Sequence, residues 1–160
     1  MSSTPGATSK APVVFVDTQV LLAADDVFDP GRRGIARAWL QALWNQRAGR
    51  VSTQVLSDYY VTATQRFGLS AGDARAKVRR FQLWKPWQID HRTVETAWGV
   101  EARFGLTYWD ALVVASAAQS CATHVLSASL THDQHIDGVT ILDPYQVTPQ
   151  ALGLDKPLTR

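Results

Sequence analysis

The chain has 160 residues and a mass of 17.6 kDa, enough for one domain with a sizeable core and too little for a repeat array or a multidomain machine. Hydrophobic residues make up 46% and charged residues 19%, with 10 Gly and 7 Pro, which excludes a disordered or fibrous protein. The 16 Lys and Arg nearly balance the 14 Asp and Glu, but 13 of the basic and 7 of the acidic residues lie at or before Arg92, so the basic character is concentrated there.

A short β-branched run at residues 12–16 stops at Asp17 and predicts a strand, and a helical pattern begins at Val20. From Gly31, apolar positions Ile35, Trp39, Leu40, Leu43 and Trp44 recur at spacings of three and four, predicting a helix toward Ala48. Residues 51–53 are a second strand candidate, and 54–67 repeat helically until Gly68. Ser70 reads as the cap of a helix over 71–83. Residues 87–90 are a third strand candidate, 91–104 a helix ended by Gly105, and 108–120 a helix apolar on nearly every side, which must be buried. Strands at 123–126 and 139–142 complete the pattern, the second preceded by an Asp137–Gly138 turn signal. Alternating strands and helices predict an α/β fold with a central, mainly parallel five-stranded sheet flanked by helices. The expected boundaries are a flexible segment at 1–11, a folded unit at 12–146 and a loosely held tail at 147–160.

No apolar stretch approaches the roughly 18 residues of a membrane span, and residues 1–10 lack an apolar signal core, so a soluble, cytoplasmic protein without a membrane partner is expected. Cys121 is the single cysteine, which excludes an intramolecular disulfide and a Cys-based zinc site. Residues 31–50 hold Arg32, Arg33, Arg37, Arg47 and Arg50 without an acid, and Arg75, Lys77, Arg79 and Arg80 follow. Solvated helix faces and a polyanion-binding surface both fit this pattern; on the second reading Arg32, Arg33, Arg79 and Arg80 are the contact candidates. On that second reading exposed members of Trp39, Trp44, Trp84 and Trp87 are candidates for ring stacking, although most of the six tryptophans are expected in the core.

Ligands of open parallel sheets bind at the carboxyl ends of the strands, and three acids fall where they can reach that edge. Asp17 directly follows the first strand, where it also suits the cap of the next helix. Asp110 stands three residues after Thr107 in a capping-box pattern, yet its apolar neighbours Trp109, Ala111, Leu112 and Val113 make an ionised group costly unless it is paired or binds a cation. Asp58 lies roughly 140° from the centre of the apolar stripe of its helix, facing either a cleft or plain solvent.

The segments VFVDTQVLL (14–22), VSTQVLSDYYV (51–61) and GLTYWDALVV (105–114) resemble, in order and spacing, the motifs of PIN-domain proteins. LSASL (126–130) and DGVTILDP (137–144) are similar to the end of that domain, and the toxin subunits called VapC are the nearest resemblance. It implies a metal-dependent endoribonuclease using Mg²⁺ or Mn²⁺ held by Asp17, Asp58 and Asp110, with an RNA substrate, a cognate antitoxin protein and a homodimer as partners. Hard carboxylate oxygens suit these cations, which activate water and stabilise charge on the phosphate.

Three positions depart from the family pattern. Gln19 stands where Asn is usual, and Asp58 where Glu is usual, its arm shorter by one methylene. Ser129 replaces the fourth acid, and a neutral hydroxyl is a weaker ligand for a hard cation. Gln19, Ser129 and the neighbouring Asp133 are therefore accessory candidates, Asp133 as a substitute oxygen donor. The missing acid keeps open a second expectation: a catalytically impaired PIN fold serving as an RNA-binding or protein-interaction module.

Overall fold

A computed structural model describes residues 11–155. Five strands form one sheet in the order β2-β1-β3-β5-β4: β1 (Val14–Val16), β2 (Gly49–Arg50), β3 (His124–Leu126), β4 (His135–Ile136) and β5 (Val139–Leu142). All neighbours are parallel except β4 and β5, which run antiparallel. Among the described residues six α-helices surround it: α1 (Thr18–Ala23), α2 (Pro30–Gln46), α3 (Thr53–Gln65), α4 (Ala71–Phe81), α5 (His91–Phe104) and α6 (Tyr108–Gln119). The mainly parallel five-stranded α/β architecture expected from the sequence is the one observed.

Successive side chains of a strand point to opposite faces of a sheet. Val14, Phe15 and Val16 of β1 are all fully buried, so helices cover both faces, as parallel strands require. α6 packs against β3 and β5 and contributes an unbroken buried run from Ala111 to Ala117, the outcome its uniform apolarity demands. Side-chain caps start α4 and α6 where the sequence offered them, at Ser70 and Thr107, and Asp90 caps α5 as well. Gly49 is fixed by close approach: a Cβ there would lie 2.4 Å from the Trp84 ring, which packs with Trp44 and Phe81. At the β4–β5 hairpin, Asp137 and Gly138 both take positive φ, 49° and 84°, the left-handed pair of a two-residue hairpin turn.

The structure departs from the sequence reading at several elements. Residues 87–90 are not a strand: Trp87 makes one isolated parallel bridge to Ser52, and Asp90 is already the cap of α5. The strand expected at 51–53 lies instead at 49–50, because Ser52 caps α3 and Thr53 begins it. The fifth strand is β4, inside the loop rich in His and Asp. α1 begins at Thr18 rather than Val20 because Asp17 accepts a hydrogen bond from the Thr18 amide and caps the helix.

The tail expected to be loose from residue 147 is packed through Leu154. Trp39 Nε1 donates to the carbonyls of Pro144 and Val147, Thr148 caps a 3₁₀ turn over Pro149–Leu152, and Leu154 is buried. Residues 1–10 and 156–160, which hold most of the flexible segment and the end of the tail expected from the sequence, lie outside the described residues. Among the described residues, no helix is long and apolar enough to cross a membrane.

Candidate metal centre

The sheet order places a crevice beside β1. The chain leaves β1 toward β2 on one side and returns through α3 to α6 to pair β3 on the other. Strand order therefore reverses at β1, and the carboxyl end of a strand at such a switch point is where open α/β sheets bind ligands. Asp17 is the first residue beyond that end.

Asp17 is held tightly. Its amide donates to the Leu126 carbonyl, its Oδ1 accepts from the Thr18 amide at 2.7 Å, and its Oδ2 accepts from the Ser127 hydroxyl at 2.9 Å. Burial pushes its carboxyl above the ordinary value of 3.8, the Ser127 and Thr18 hydrogen bonds pull it back, and the charges of Asp110 and Asp58 push it up further. Asp17 thus lies within the field of both other acids although the three come from β1, α3 and α6.

All three line one open cleft of about 440 Å³, together with Gln19, Trp109 and Ser129. Asp58, left by helical geometry between cleft and solvent, is on the cleft, and partial burial there raises its carboxyl above 3.8. Asp110 is half-buried, its amide donating to the Thr107 hydroxyl at 3.2 Å. Among the described residues no group of three or more His, Cys, Asp or Glu is gathered tightly enough to enclose a metal ion. The compact cluster expected from the sequence is therefore an open arrangement of acids around shared space. That donor set fits a small hard cation: it is all carboxylate oxygen, and Mg²⁺ keeps several waters while taking only one or two carboxylates directly.

The accessory candidates separate. Gln19 is exposed on the cleft, and so is Ser129, whose hydroxyl lies 3.1 Å from that of Ser127. Asp133 does not line the cleft; its amide donates to the Ile141 carbonyl beside the β4–β5 edge, three strand spacings or about 14 Å from β1. Nearness in sequence to Ser129 did not become nearness across the sheet. The named tryptophans are also reassigned: Trp39 and Trp84 are buried, Trp44 and Trp87 half-buried, whereas Trp109 is 64% exposed on the cleft itself.

Sequence reasoning missed Ser127 and Gln54. Ser127 is fully buried and supports Asp17, and its position directly after β3 was the available signal. Gln54, in the first turn of α3, lines the cleft with its Oε1 buried and unpartnered. Ser127→Ala is expected to cost about 1.5–3 kcal/mol at neutral pH, the worth of a hydrogen bond to a charged group. The loss should shrink in acid, where protonated Asp17 needs the donor less; urea unfolding at several pH values measures it.

The sequence matches the PIN domain family over residues 14–140. The fold is similar to the crystal structure of the VapC20 toxin of Mycobacterium tuberculosis, which is described as cleaving the sarcin-ricin loop. That likeness has a TM-score of 0.54 at 21% identity and covers 70% of this chain and 86% of the toxin chain. Comparison with curated proteins gives no significant match. With the family matched across most of the chain, and the acids of its motifs facing one cleft at the switch point of the expected sheet, the chain belongs to the PIN domain family.

Proposed function

We propose that the protein is a metal-dependent endoribonuclease of the VapC toxin kind, cutting RNA phosphodiester bonds with Mg²⁺ or Mn²⁺ held at Asp17 and Asp110 and reached by the shorter Asp58 through water. The observation that carries this reading is the convergence of three carboxylates from distant parts of the chain on one cleft, where Asp110 and Asp58 both raise the cost of ionising Asp17. Evolution tolerates such mutual repulsion most readily where a cation relieves it.

A bound cation supplies Lewis acidity, lowering the pKa of water and offsetting charge on the phosphate. The chain's own residues do the positioning. Thr18 and Ser127 fix the Asp17 carboxylate, and Gln19 and Ser129 offer neutral polar groups on the cleft for a phosphate oxygen or an ordered water. The same kinship supports a cognate antitoxin protein and a homodimer as partners, with the cytoplasm as the place of action.

A mixed RNA pool tests this reading, incubated with Mn²⁺, with Mg²⁺ and with chelator. Cleavage is expected with either metal and not with chelator, and it should be lost in Asp110→Asn. Ser129→Asp adds a charged ligand and is expected to lower the half-saturating Mn²⁺ concentration about tenfold. A second reading has its own observations: a hydroxyl at Ser129, and acids too open among the described residues to enclose an ion unaided. A parent that binds RNA, cuts none under any condition and gains cleavage only as Ser129→Asp would establish that impaired, binding-only module instead.

A further inference from the structure

The carboxylate cleft continues into a groove on each side. Gln19 and Ser129 are shared with a groove that runs to Arg32 and Tyr145. On the opposite side, Val61 is shared with a groove between α3 and α4 that holds Tyr60, Arg75 and Arg79. Both grooves contain the same device. The Arg32 guanidinium lies 4.4 Å from the centre of the Tyr145 ring, and that of Arg75 lies 5.9 Å from the centre of the Tyr60 ring.

A guanidinium held over an aromatic face is kept flat and oriented. Its outer plane can carry a nucleobase, while its N–H edge meets phosphate oxygens. Both arginines are exposed. The flanking position also answers an electrostatic problem, because a polyanion crossing three carboxylates is repelled at the centre and must be held from the sides. Of the acids in the first groove, Asp26 accepts from the Phe28 amide, and Asp29 caps α2 through the Arg32 amide while its other oxygen lies 3.9 Å from Arg32 Nε, steadying the guanidinium from its inner edge.

We propose that the two arginine–tyrosine ledges, Arg32 on Tyr145 and Arg75 on Tyr60, are subsites that hold an unpaired RNA strand across the carboxylate cleft, with Arg79 meeting its backbone. That the strand is RNA rests on the ribonuclease reading; the ledges themselves rest on the grooves. An unpaired strand is required because bases in a duplex are already stacked and cannot reach the ledges. Of the RNA-contact residues expected from the sequence, this keeps Arg32 and Arg79 and adds Arg75. It drops Arg80, which lies over Trp44 in a separate groove where Lys77 pairs with Asp25, and Arg33, which lines neither groove.

The test is fluorescence anisotropy of a labelled uridine dodecamer with the full chain in chelator, so that binding is read without cleavage. Arg32→Gln and Arg75→Gln are each expected to weaken binding about 5- to 150-fold, the range of one lost base stack. Arg32→Lys and Arg75→Lys keep the charge, lose the plane and should recover little, and Arg80→Gln should leave binding unchanged. Lysine variants that bind like the parent, an equal loss in Arg80→Gln, or a parent that does not bind would each overturn the ledges. A parent that cuts RNA while its ledge variants bind unchanged overturns the ledges and leaves the nuclease reading standing. Ledge-dependent binding by a parent that cuts nothing does the reverse.

Discussion

Asp17→Asn is expected to lower metal-dependent RNA cleavage by about 10²–10³-fold, the usual consequence of removing one preorganised charged group from a reacting site, and at the same time to stabilise the cation-free protein at neutral pH. The two effects share one cause. Burial and the neighbouring charges of Asp110 and Asp58 hold the Asp17 carboxyl above its ordinary value of 3.8 despite two hydrogen bonds. A group whose pKa is raised on folding supports the fold fully below its unfolded value, and that support is lost as pH rises through the folded value. At neutral pH ionised Asp17 is therefore a net burden, and neutral Asn removes it while still accepting from the Thr18 amide. Melting temperatures in chelator should be higher for the variant at pH 7, the gap closing toward pH 4. Added Mn²⁺ should raise the melting temperature of the parent and not of the variant. A variant less stable than the parent at pH 7 would mean that the Ser127 and Thr18 hydrogen bonds outweigh burial.

Trp39→Ala carries the largest expected loss of stability. Trp39 is fully buried in α2, and removing so large a core side chain costs about 3–5 kcal/mol. That is a substantial part of the 5–15 kcal/mol on which domains survive, and it lowers the melting temperature by about 10 °C or more. The indole also donates from Nε1 to the carbonyls of Pro144 and Val147, 3.2 Å from each. Its loss should loosen residues 147–155 before the sheet, seen as faster amide exchange at Gly153 and Leu154. Trp39→Phe keeps most of the apolar volume and removes only the donor, so it should cost about 1–3 kcal/mol while still releasing the tail.

What was legible in the sequence was local. Asp17 after VFV, Thr107 before Tyr-Trp-Asp and Ser70 before α4 are signals a few residues long, and each produced the element it announced. What stayed hidden depended on partners far along the chain. Residues 87–90 read as a strand because Trp-Gln-Ile has the composition of one, but only Trp87 finds a neighbour, at Ser52. β4 is two residues long, too short to show a period, and exists because β5 lies alongside it. Ser127 becomes a support for an acid only when β3 is laid beside β1, and Asp133 misled because two positions a few residues apart were carried to different strands. The tail lacked any pattern of its own because the groups that hold it, Trp39 above all, belong to α2.

The hydrogen bond between Ser127 and Asp17 spans 110 residues of chain. During synthesis β1 emerges early, but its inner neighbour and the hydroxyl that orients its acid emerge only when most of the chain has been made. Contacts this distant form late, since the intervening loop must be closed before they contribute. At the roughly 5–20 residues per second of translation, a ribosome takes several seconds to pass from codon 17 to codon 127. For that interval a nascent chain carries Asp17 without the hydroxyl that orients it, so the cleft is completed only near the end of synthesis.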